Sequence, residues 1–311
     1  MCALAAAMTR VTNLRAASAE AGPVSGGHEV SPVAEVSPVA MDTTLAVGPF
    51  VEPGFPFIVS TLDAGVKGGA FPARNLAVRC VVLMLDDDTH ACFDTDLLRV
   101  AAAWRGGFMK LTTMAQVSYD KPFNKNNAIP KLVGTPIVAT GIYPGWAGAE
   151  PTFSDPRPPG PNPTDVGRGP IAAERGRWNG IHVVGKEAVL SYTVEGTDIA
   201  EQIGTASADG QVGITRTFRT SAIARPITLV IAEVDDGAES SVDDDAAVVL
   251  EGAARDTATV VGVTSAPAGA RLQVDSNRYV TLRIPAGPAS TVARAVSWRH
   301  RGQAAAGESR R

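Results

Sequence analysis

Short strand-like segments separated by glycine-containing turns constrain the fold of this chain more than any other feature. The clearest run lies at 180–203, where GIHVV, AVLSYTV and TDIAEQI are separated by turns at Gly185-Lys186 and Glu195-Gly196. Strands of this length and spacing are typical of antiparallel sheets. No long amphipathic helix is visible in the sequence. The pattern therefore predicts an all-β fold, a large antiparallel β-sandwich.

Similar segments occur on both sides of this run. The apolar stretch NLAVRCVVLML at 75–85 predicts a central strand, because both of its faces are apolar. The acidic triplet at 86–88 predicts a turn, and strands follow at 89–93 and 97–104. The remaining predicted strands are 211–218, 227–234, 246–252, 257–263, 278–284 and 291–298.

The first part of the chain differs in composition from the rest. It is rich in Ala, Ser, Pro and Gly and contains the near-perfect repeat EVSPVAEVSPVA at 29–40. Its regularly spaced prolines prevent a continuous helix. We expect a disordered leader or linker at 1–47, a β-sandwich domain at 48–300 and a disordered basic tail at 301–311.

Charge and motif content exclude several function classes. The net charge is −4 and no Lys/Arg run is interleaved with aromatic residues, so we expect no nucleic-acid partner. The cysteines form no CxxC motif and the four histidines are far apart, so we predict no metal and no cofactor. No apolar run reaches the roughly 18 residues of a membrane span. No signal peptide is legible at the N-terminus.

Two of the cysteines flank the predicted turn LDDDT. A hairpin centred on Asp86 would place Cys80 directly opposite Cys92, and a shift in register would separate them. We favour buried free thiols over a disulfide for this pair.

Two aspartates in FDTDLLRVAAAWRGGFM at 93–109 are the main candidates for chemistry. On a strand, Asp94 and Asp96 would share a face about 7 Å apart, similar to the carboxylates of inverting glycosidases. In a turn, aspartates instead accept hydrogen bonds from backbone N–H groups two residues on, and Arg99 is close enough to pair with either. We favour the structural interpretation. Together with His182 in GIHVVG, the two aspartates form the alternative acid/base set.

Three tryptophans, each within two residues of a glycine, are candidates to stack on a sugar ring. The alternative is packing in the core or at the rim, since tryptophan is highly buried on average. Trp146 is the best ligand candidate, because YPGWAG leads into the proline-rich segment 151–170, which predicts either a functional rim or a stiff surface connection. The full set of ligand-binding candidates is Trp146, Tyr143, Asp155, Arg157, Trp178 and Trp104.

Three other polar features are interpreted as structural. His182 alternates with apolar residues, and a lone histidine of this kind is more often structural than catalytic. Arg216 and Arg219 are an odd number of positions apart and are predicted to lie on opposite faces of a strand. The acidic run at 233–245 lacks EF-hand spacing and predicts a solvated hairpin loop.

Several motifs, spread over about residues 47–298, carry a family resemblance. They are VGPF, NLAVR, CFDTDLLRVAAAWRGGF, YPGWA, DPR, GRWNGIHVVGKEAVLSYTV, RTF and LRIPAG. Together they resemble a bacterial domain of unknown function, which is known mainly from large secreted proteins. Those proteins also carry a c-type haem domain and a sugar-dehydrogenase-like β-propeller. The resemblance implies a periplasmic or secreted location and sugar-related neighbours, but no catalytic residues.

These observations lead to one expected function and two rivals. The expected function is a non-catalytic β-sandwich accessory module that binds carbohydrate or docks to a sugar-oxidising, haem-containing partner. The first rival is a carbohydrate-active hydrolase or lyase that uses Asp94, Asp96 or Asp155 with His182. The second is a fragment that is inactive alone. No nucleophile–base or metal motif is present, which favours the expected function.

Overall fold

The structure, a computed structural model, describes most of the chain from residue 55 onward. The described ranges are 55–65, 70–110, 129–159, 168–243, 246–251, 257–289 and 292–301. The predicted leader and nearly all of the predicted tail lie outside these ranges. Among the described residues, no helix is long and apolar enough to cross a membrane.

The described residues form seventeen β-strands. They are β1 (Phe57–Asp63), β2 (Leu76–Met84), β3 (Thr89–Asp94), β4 (Arg99–Arg105), β5 (Thr135–Ala139), β6 (Trp146–Ala147), β7 (Gly176–Val184), β8 (Glu187–Val194), β9 (Thr197–Ala208), β10 (Gln211–Thr220), β11 (Ile227–Glu233), β12 (Gly237–Val242), β13 (Ala246–Glu251), β14 (Thr257–Ser265), β15 (Arg271–Asp275), β16 (Tyr279–Ile284) and β17 (Val292–Arg301).

The strands assemble into three antiparallel sheets. The first has five strands in the order β1-β2-β3-β4-β5, and the second has eight in the order β12-β13-β14-β17-β10-β9-β8-β7. The third has four strands in the order β15-β16-β11-β6. Most neighbours are joined by short turns, as the glycine-containing segments of the sequence indicate. The prediction of a large, all-β, antiparallel sandwich is confirmed.

The main hydrophobic core lies between the eight-stranded sheet and the two smaller sheets. It contains Leu190 from the eight-stranded sheet, Phe93 from the five-stranded sheet and Leu229 from the four-stranded sheet. On β8, buried residues alternate with half-exposed or exposed ones, because only one face of that strand meets the core. Strand β5 contacts β10, β11 and β17, which brings the smaller sheets together over the larger one.

The five-stranded sheet is buried on both faces near its centre. Val81 belongs to the main core, whereas its neighbour Val82 belongs to a second core that also contains Cys92 and Trp104. All six residues of β3 are buried. The prediction of a central strand at 75–85 is therefore confirmed, because a strand covered on both sides needs apolar residues at successive positions.

Five strands were not predicted from the sequence: β1, β5, β6, β12 and β15. The prediction that 233–245 forms only a solvated loop was wrong. Its central part is the strand Gly237–Val242, which pairs with β13 at the edge of the eight-stranded sheet. The strand has no buried residue and so shows no apolar alternation, and it is stabilised by backbone pairing that the sequence does not display.

Candidate functional site

The turn between β3 and β4 brings Asp94 and Arg99 together. One carboxylate oxygen of Asp94, Oδ1, accepts the backbone N–H of Asp96 at 3.0 Å and that of Leu97 at 3.3 Å. The other oxygen, Oδ2, accepts a hydrogen bond from Nε of Arg99 at 3.1 Å. The prediction that Asp94 meets local backbone donors beside Arg99 is confirmed.

Arg99 is buried and is hydrogen-bonded on all sides. Its Nη1 donates to Oδ1 of Asn75 and to the carbonyl of Thr140, each at 2.7 Å, and its Nη2 donates to the carbonyl of Leu76 at 3.3 Å. Burial raises the pKa of Asp94, although the charge of Arg99 opposes the effect. The pair therefore joins the β3–β4 turn to β2 and to the end of β5.

Asp96 is held by arginines from other parts of the chain. Arg79 on β2 donates from Nε to Oδ1 of Asp96 at 2.7 Å, and Nη1 of Arg157 lies 3.8 Å from Oδ2. The carboxylate of Asp96 is buried, whereas more than half of the Arg79 side chain is exposed. The backbone carbonyl of Asp96 also accepts the N–H of Ile171 at 2.9 Å. Asp96 thus fixes the turn against the chain that follows the proline-rich segment.

Asp155 and Arg157 form a two-point ion pair inside the proline-rich segment. Nε and Nη2 of Arg157 contact the two carboxylate oxygens of Asp155 at 2.9 and 3.0 Å, and Nη1 donates to the carbonyl of Gly169 at 2.7 Å. Burial alone would raise the pKa of Asp155, but the hydrogen bonds and charge of Arg157, with the charge of Arg168, hold that pKa below its ordinary value. The pair ties the described ends of segment 151–170 together.

These residues form one carboxylate cluster, in which each acid faces a guanidinium group. Its members are Asp94, Asp96, Asp155, Arg79, Arg99, Arg157 and Arg168. A general acid or base must reach a substrate proton, and a nucleophile must present a free oxygen. Here the carboxylate oxygens bind arginines and backbone N–H groups instead. The arrangement is suited to fixing loops on the sandwich.

His182 is not joined to this cluster. It is exposed on β7, the edge strand of the eight-stranded sheet, where its cross-strand partner is Val189. Among the described residues, no hydrogen bond or ion pair connects His182 with Asp94 or Asp96. Within the described ranges, no group of three or more His, Cys, Asp and Glu residues is placed to hold a metal ion.

Three of the aromatic candidates are buried. Nε1 of Trp104, which is inside the second core, donates to the carbonyls of Gly107 and Phe108, each at 3.0 Å. Trp146 and Tyr143 are each only 3% exposed. This burial agrees with packing, the alternative to ligand binding, because none of the three presents a ring face to a ligand. Trp178 is half-buried beside Phe93, with ring centroids 5.6 Å apart, and retains an exposed part.

A buried polar chain in the main core was not predicted. Nε1 of Trp146 donates to the hydroxyl of Tyr192 at 3.1 Å, and that hydroxyl donates to Oε2 of Glu201 at 2.7 Å. Nε of Arg216 donates to Oε1 of Glu201 at 2.6 Å. Burial, followed by the negative charge of Glu201, raises the pKa of Tyr192 well above its ordinary value. The chain links β6 of the four-stranded sheet to β8, β9 and β10.

The sequence contains a pattern that indicates the buried contact between Glu201 and Arg216. Arg216 is buried and Arg219 is exposed, so the prediction that they lie on opposite faces of one strand is confirmed. Arg216 lies two residues from the core residues Ile214 and Phe218 of β10, so it shares their face of the strand. Glu201 lies between core residues of β9 in the same way. Charged residues at core-facing positions of two paired strands indicate a buried ion pair.

Tyr143 takes part in a second unpredicted contact. Its hydroxyl donates to Oε2 of Glu233 at 2.6 Å, and Nε of Arg278 donates to Oε1 of the same carboxylate at 2.9 Å. Beside them the rings of Phe153 and Tyr279 stack with centroids 3.7 Å apart. Tyr143 therefore anchors the segment that leads to the proline-rich stretch.

A cavity of about 450 Å³ lies where the end of β2 meets the eight-stranded sheet. Its apolar lining includes Leu83, Leu85 and Ile203. Its polar lining consists of Lys186, Glu187, Gln202, Thr205, Thr215, Thr217 and Arg294. These residues come from β8, β9, β10, β17 and the β7–β8 turn, and the part of the lining that the structure describes contains no aromatic residue that could have marked the cavity in the sequence.

Four of the polar residues form a row across the eight-stranded sheet. Nε2 of Gln202 donates to Oε2 of Glu187 at 2.7 Å. Gln202 is the cross-strand partner of Thr217, and Thr217 is the partner of Arg294. Direct partners in an antiparallel pair point to the same face, so this row is continuous along one face of the sheet.

Part of the chain matches a known protein family. Residues 91–201 match a family described as a domain of unknown function (DUF6797). The matched segment runs from β3 to β9 and includes Asp94, Asp155 and Glu201, whereas Arg216 and Arg294 lie beyond it. The expected resemblance to a domain of unknown function is confirmed over residues 91–201. No curated protein matches the chain.

Proposed function

We propose that this chain is a non-catalytic accessory module that binds carbohydrate in the cavity of the eight-stranded sheet. The observation that carries the proposal is the cavity itself, with its volume of about 450 Å³ and its mixed polar and apolar lining. Small-molecule sites in proteins commonly have volumes of about 300–1,000 Å³, so one or two sugar units fit this space.

The lining has the chemistry that a polyhydroxylated ligand requires. The hydroxyls of Thr215 and Thr217 can each donate one hydrogen bond and accept two. The Thr205 hydroxyl, which donates to Asp86, can still accept, and the Gln202 amide keeps one N–H and its carbonyl oxygen beside its bond to Glu187. The side chains of Leu83 and its apolar neighbours provide contacts for the C–H faces of a sugar ring. A neutral polar ligand can therefore exchange its water contacts for protein contacts.

The carboxylate cluster supports a binding role over the rival hydrolase or lyase. Asp94 accepts two backbone N–H groups and Arg99, while Asp155 is paired through both oxygens with Arg157. A hydrolase would need two carboxylates on opposite sides of a scissile bond. The acids of this cluster face guanidinium groups rather than an open cleft.

Docking to a partner forms the second part of the proposal. From the resemblance described above, we expect related domains beside c-type haem domains and sugar-dehydrogenase-like propellers, in secreted or periplasmic proteins. A module that holds a carbohydrate next to a sugar-oxidising, haem-containing partner would raise the local concentration of substrate for that partner. We therefore propose the same location and the same kind of neighbour for this chain.

Glycan-array binding of the full chain tests the proposal. We expect binding to a defined group of glycans, weakened by Gln202→Ala in the cavity and unchanged by Gln273→Ala, an exposed glutamine on β15. The bound glycans should be recovered intact. Recovery of shortened glycans, with cleavage lost in Asp96→Asn, would instead support the hydrolase or lyase.

A further inference from the structure

We infer that the carbohydrate recognised by the cavity carries an acidic group, a carboxylate or a sulfate, and that Arg294 binds this group. The inference rests on the proposed function and adds the chemical class of the ligand. Arg294 is the one arginine in the described lining of the cavity, and its Nε has no hydrogen-bond partner among the described residues.

Arg294 differs from the other arginines that are held within the fold. Arg99, Arg157, Arg216 and Arg299 each pair with a carboxylate. The Nε of Arg294 is buried, yet it has no hydrogen-bond partner, and none of the described residues forms an ion pair with this side chain. A buried N–H donor without a partner is unfavourable. Arg294 lines the cavity, so an acceptor held there would lie beside this guanidinium.

The acids near the cavity do not neutralise Arg294. Glu187 accepts a hydrogen bond from Gln202. Asp86, outside the cavity lining, accepts hydrogen bonds from the backbone of Asp88 and from Thr205. Neither acid forms an ion pair with Arg294, although Glu187, which is bonded to a neutral amide, keeps its negative charge in the lining. Lys186 adds a second positive charge to the lining, in the exposed β7–β8 turn.

The geometry of a guanidinium group selects an oxyanion as the missing acceptor. Adjacent N–H groups of a guanidinium point in parallel and match the two oxygens of a carboxylate or sulfate. Thr217 lies directly opposite Arg294 on β10, so its hydroxyl adjoins the same position. An acidic substituent at Arg294 would leave the ring hydroxyls facing the threonines and Gln202.

Binding of the full chain to a panel of neutral, uronate-containing and sulfated glycans tests the inference. The tightest acidic glycan is then compared with its own uncharged form, the methyl ester of a uronate or the desulfated form of a sulfated sugar. We expect the acidic form to bind at least about tenfold more tightly, and its affinity to fall with added salt. Comparison of the uronate-containing with the sulfated glycans shows whether the bound group is a carboxylate or a sulfate. Equal affinity for charged and uncharged forms would overturn the inference and leave the proposed function standing.

Substitution of Arg294 tests whether this residue causes the preference for the acidic glycan. Arg294→Gln should weaken binding of the acidic glycan about tenfold or more and change binding of its uncharged form by less than about threefold. Arg271→Gln, an exposed arginine on β15, is the matched control and should change neither. If Arg294→Gln does not fold, the wild-type comparison of acidic and uncharged forms still decides. Binding to no glycan of any class would overturn both the inference and the proposed function.

Discussion

Asp94 and Arg99 close the β3–β4 turn as a buried ion pair, in which the carboxylate also caps two backbone N–H groups. Each side chain is at most 2% exposed. Arg99 extends this contact to the backbone of β2 and to the residue that follows β5. The aspartate pair that looked most like a catalytic motif in the sequence thus forms one end of a structural link.

Removing the Asp94 carboxylate should strongly destabilise the fold. Asp94→Ala leaves Arg99 buried without a counter-charge and removes both turn hydrogen bonds, so we expect a loss of about 3–5 kcal/mol in the free energy of unfolding. Asp94→Asn keeps an acceptor for the turn and should lose less. Asp87→Ala, in an exposed turn, is the control and should stay within about 0.5 kcal/mol. Urea unfolding measures all three, and equal losses for Asp94→Ala and Asp87→Ala would contradict this role.

The Glu201–Arg216 pair should behave in the same way within the main core. Arg216→Met leaves Glu201 as an unpaired buried charge, and we expect a loss of about 3–5 kcal/mol. Adding Glu201→Gln should recover part of that loss, because it removes the unpaired charge. Arg219→Met, on the exposed face of the same strand, should have little effect. Strictly additive losses in the double variant would show that the two residues are not coupled.

The Asp155–Arg157 pair should make stability depend on acid pH. The pKa of Asp155 is held below its ordinary value of 3.8 in the folded chain, so the unfolded chain binds more protons. The stabilisation is therefore present above about pH 4 and is lost as the pH falls through the lowered folded pKa. Melting temperatures of wild type and Asp155→Asn should differ near neutral pH and converge in acid. A difference that is constant with pH would exclude this contribution.

The two buried cysteines should remain free thiols. Cys80 lies opposite Asp94, and Cys92 lies opposite Val82, so the predicted direct pairing of the cysteines was wrong by two positions. Burial raises the pKa of Cys92 well above its ordinary value, which keeps it unreactive. We expect slow alkylation of both thiols in the native chain and complete alkylation in denaturant without reductant, measured by peptide mass spectrometry. A requirement for reductant would indicate a disulfide.

The sequence predicted most of the well-buried strands and missed those that are short or little buried. Strands such as β2 and β8 have apolar or alternating residues, and they were found at nearly the observed bounds. Strand β12 has no buried residue, and β6 is two residues long. Such strands depend on neighbours that are distant in the chain, and local residue patterns do not encode those neighbours.

The candidate site was predictable only in part, for the same reason. Local chemistry identified the Asp94 turn, since its donors and acceptors lie within five residues. The contact of Asp96 with Arg157 joins distant segments, and the cavity gathers residues from non-consecutive strands. Strand order and register determine these contacts, and a single sequence shows neither. Trp104 and Trp146 were ligand-binding candidates because glycines lie nearby in the sequence, but this pattern did not reveal that their rings are buried.

Threonine-methyl NMR of the full chain, titrated with the glycan that binds most tightly on the array, tests the central claim most directly. Thr205, Thr215 and Thr217 line the cavity, whereas Thr95 lies in the turn between the two aspartates. The same spectrum therefore reports on both candidate sites. We predict that the methyl signals of the three cavity threonines shift with saturation while that of Thr95 stays constant. A saturable shift of Thr95, with the cavity threonines unchanged, would contradict the cavity as the ligand site.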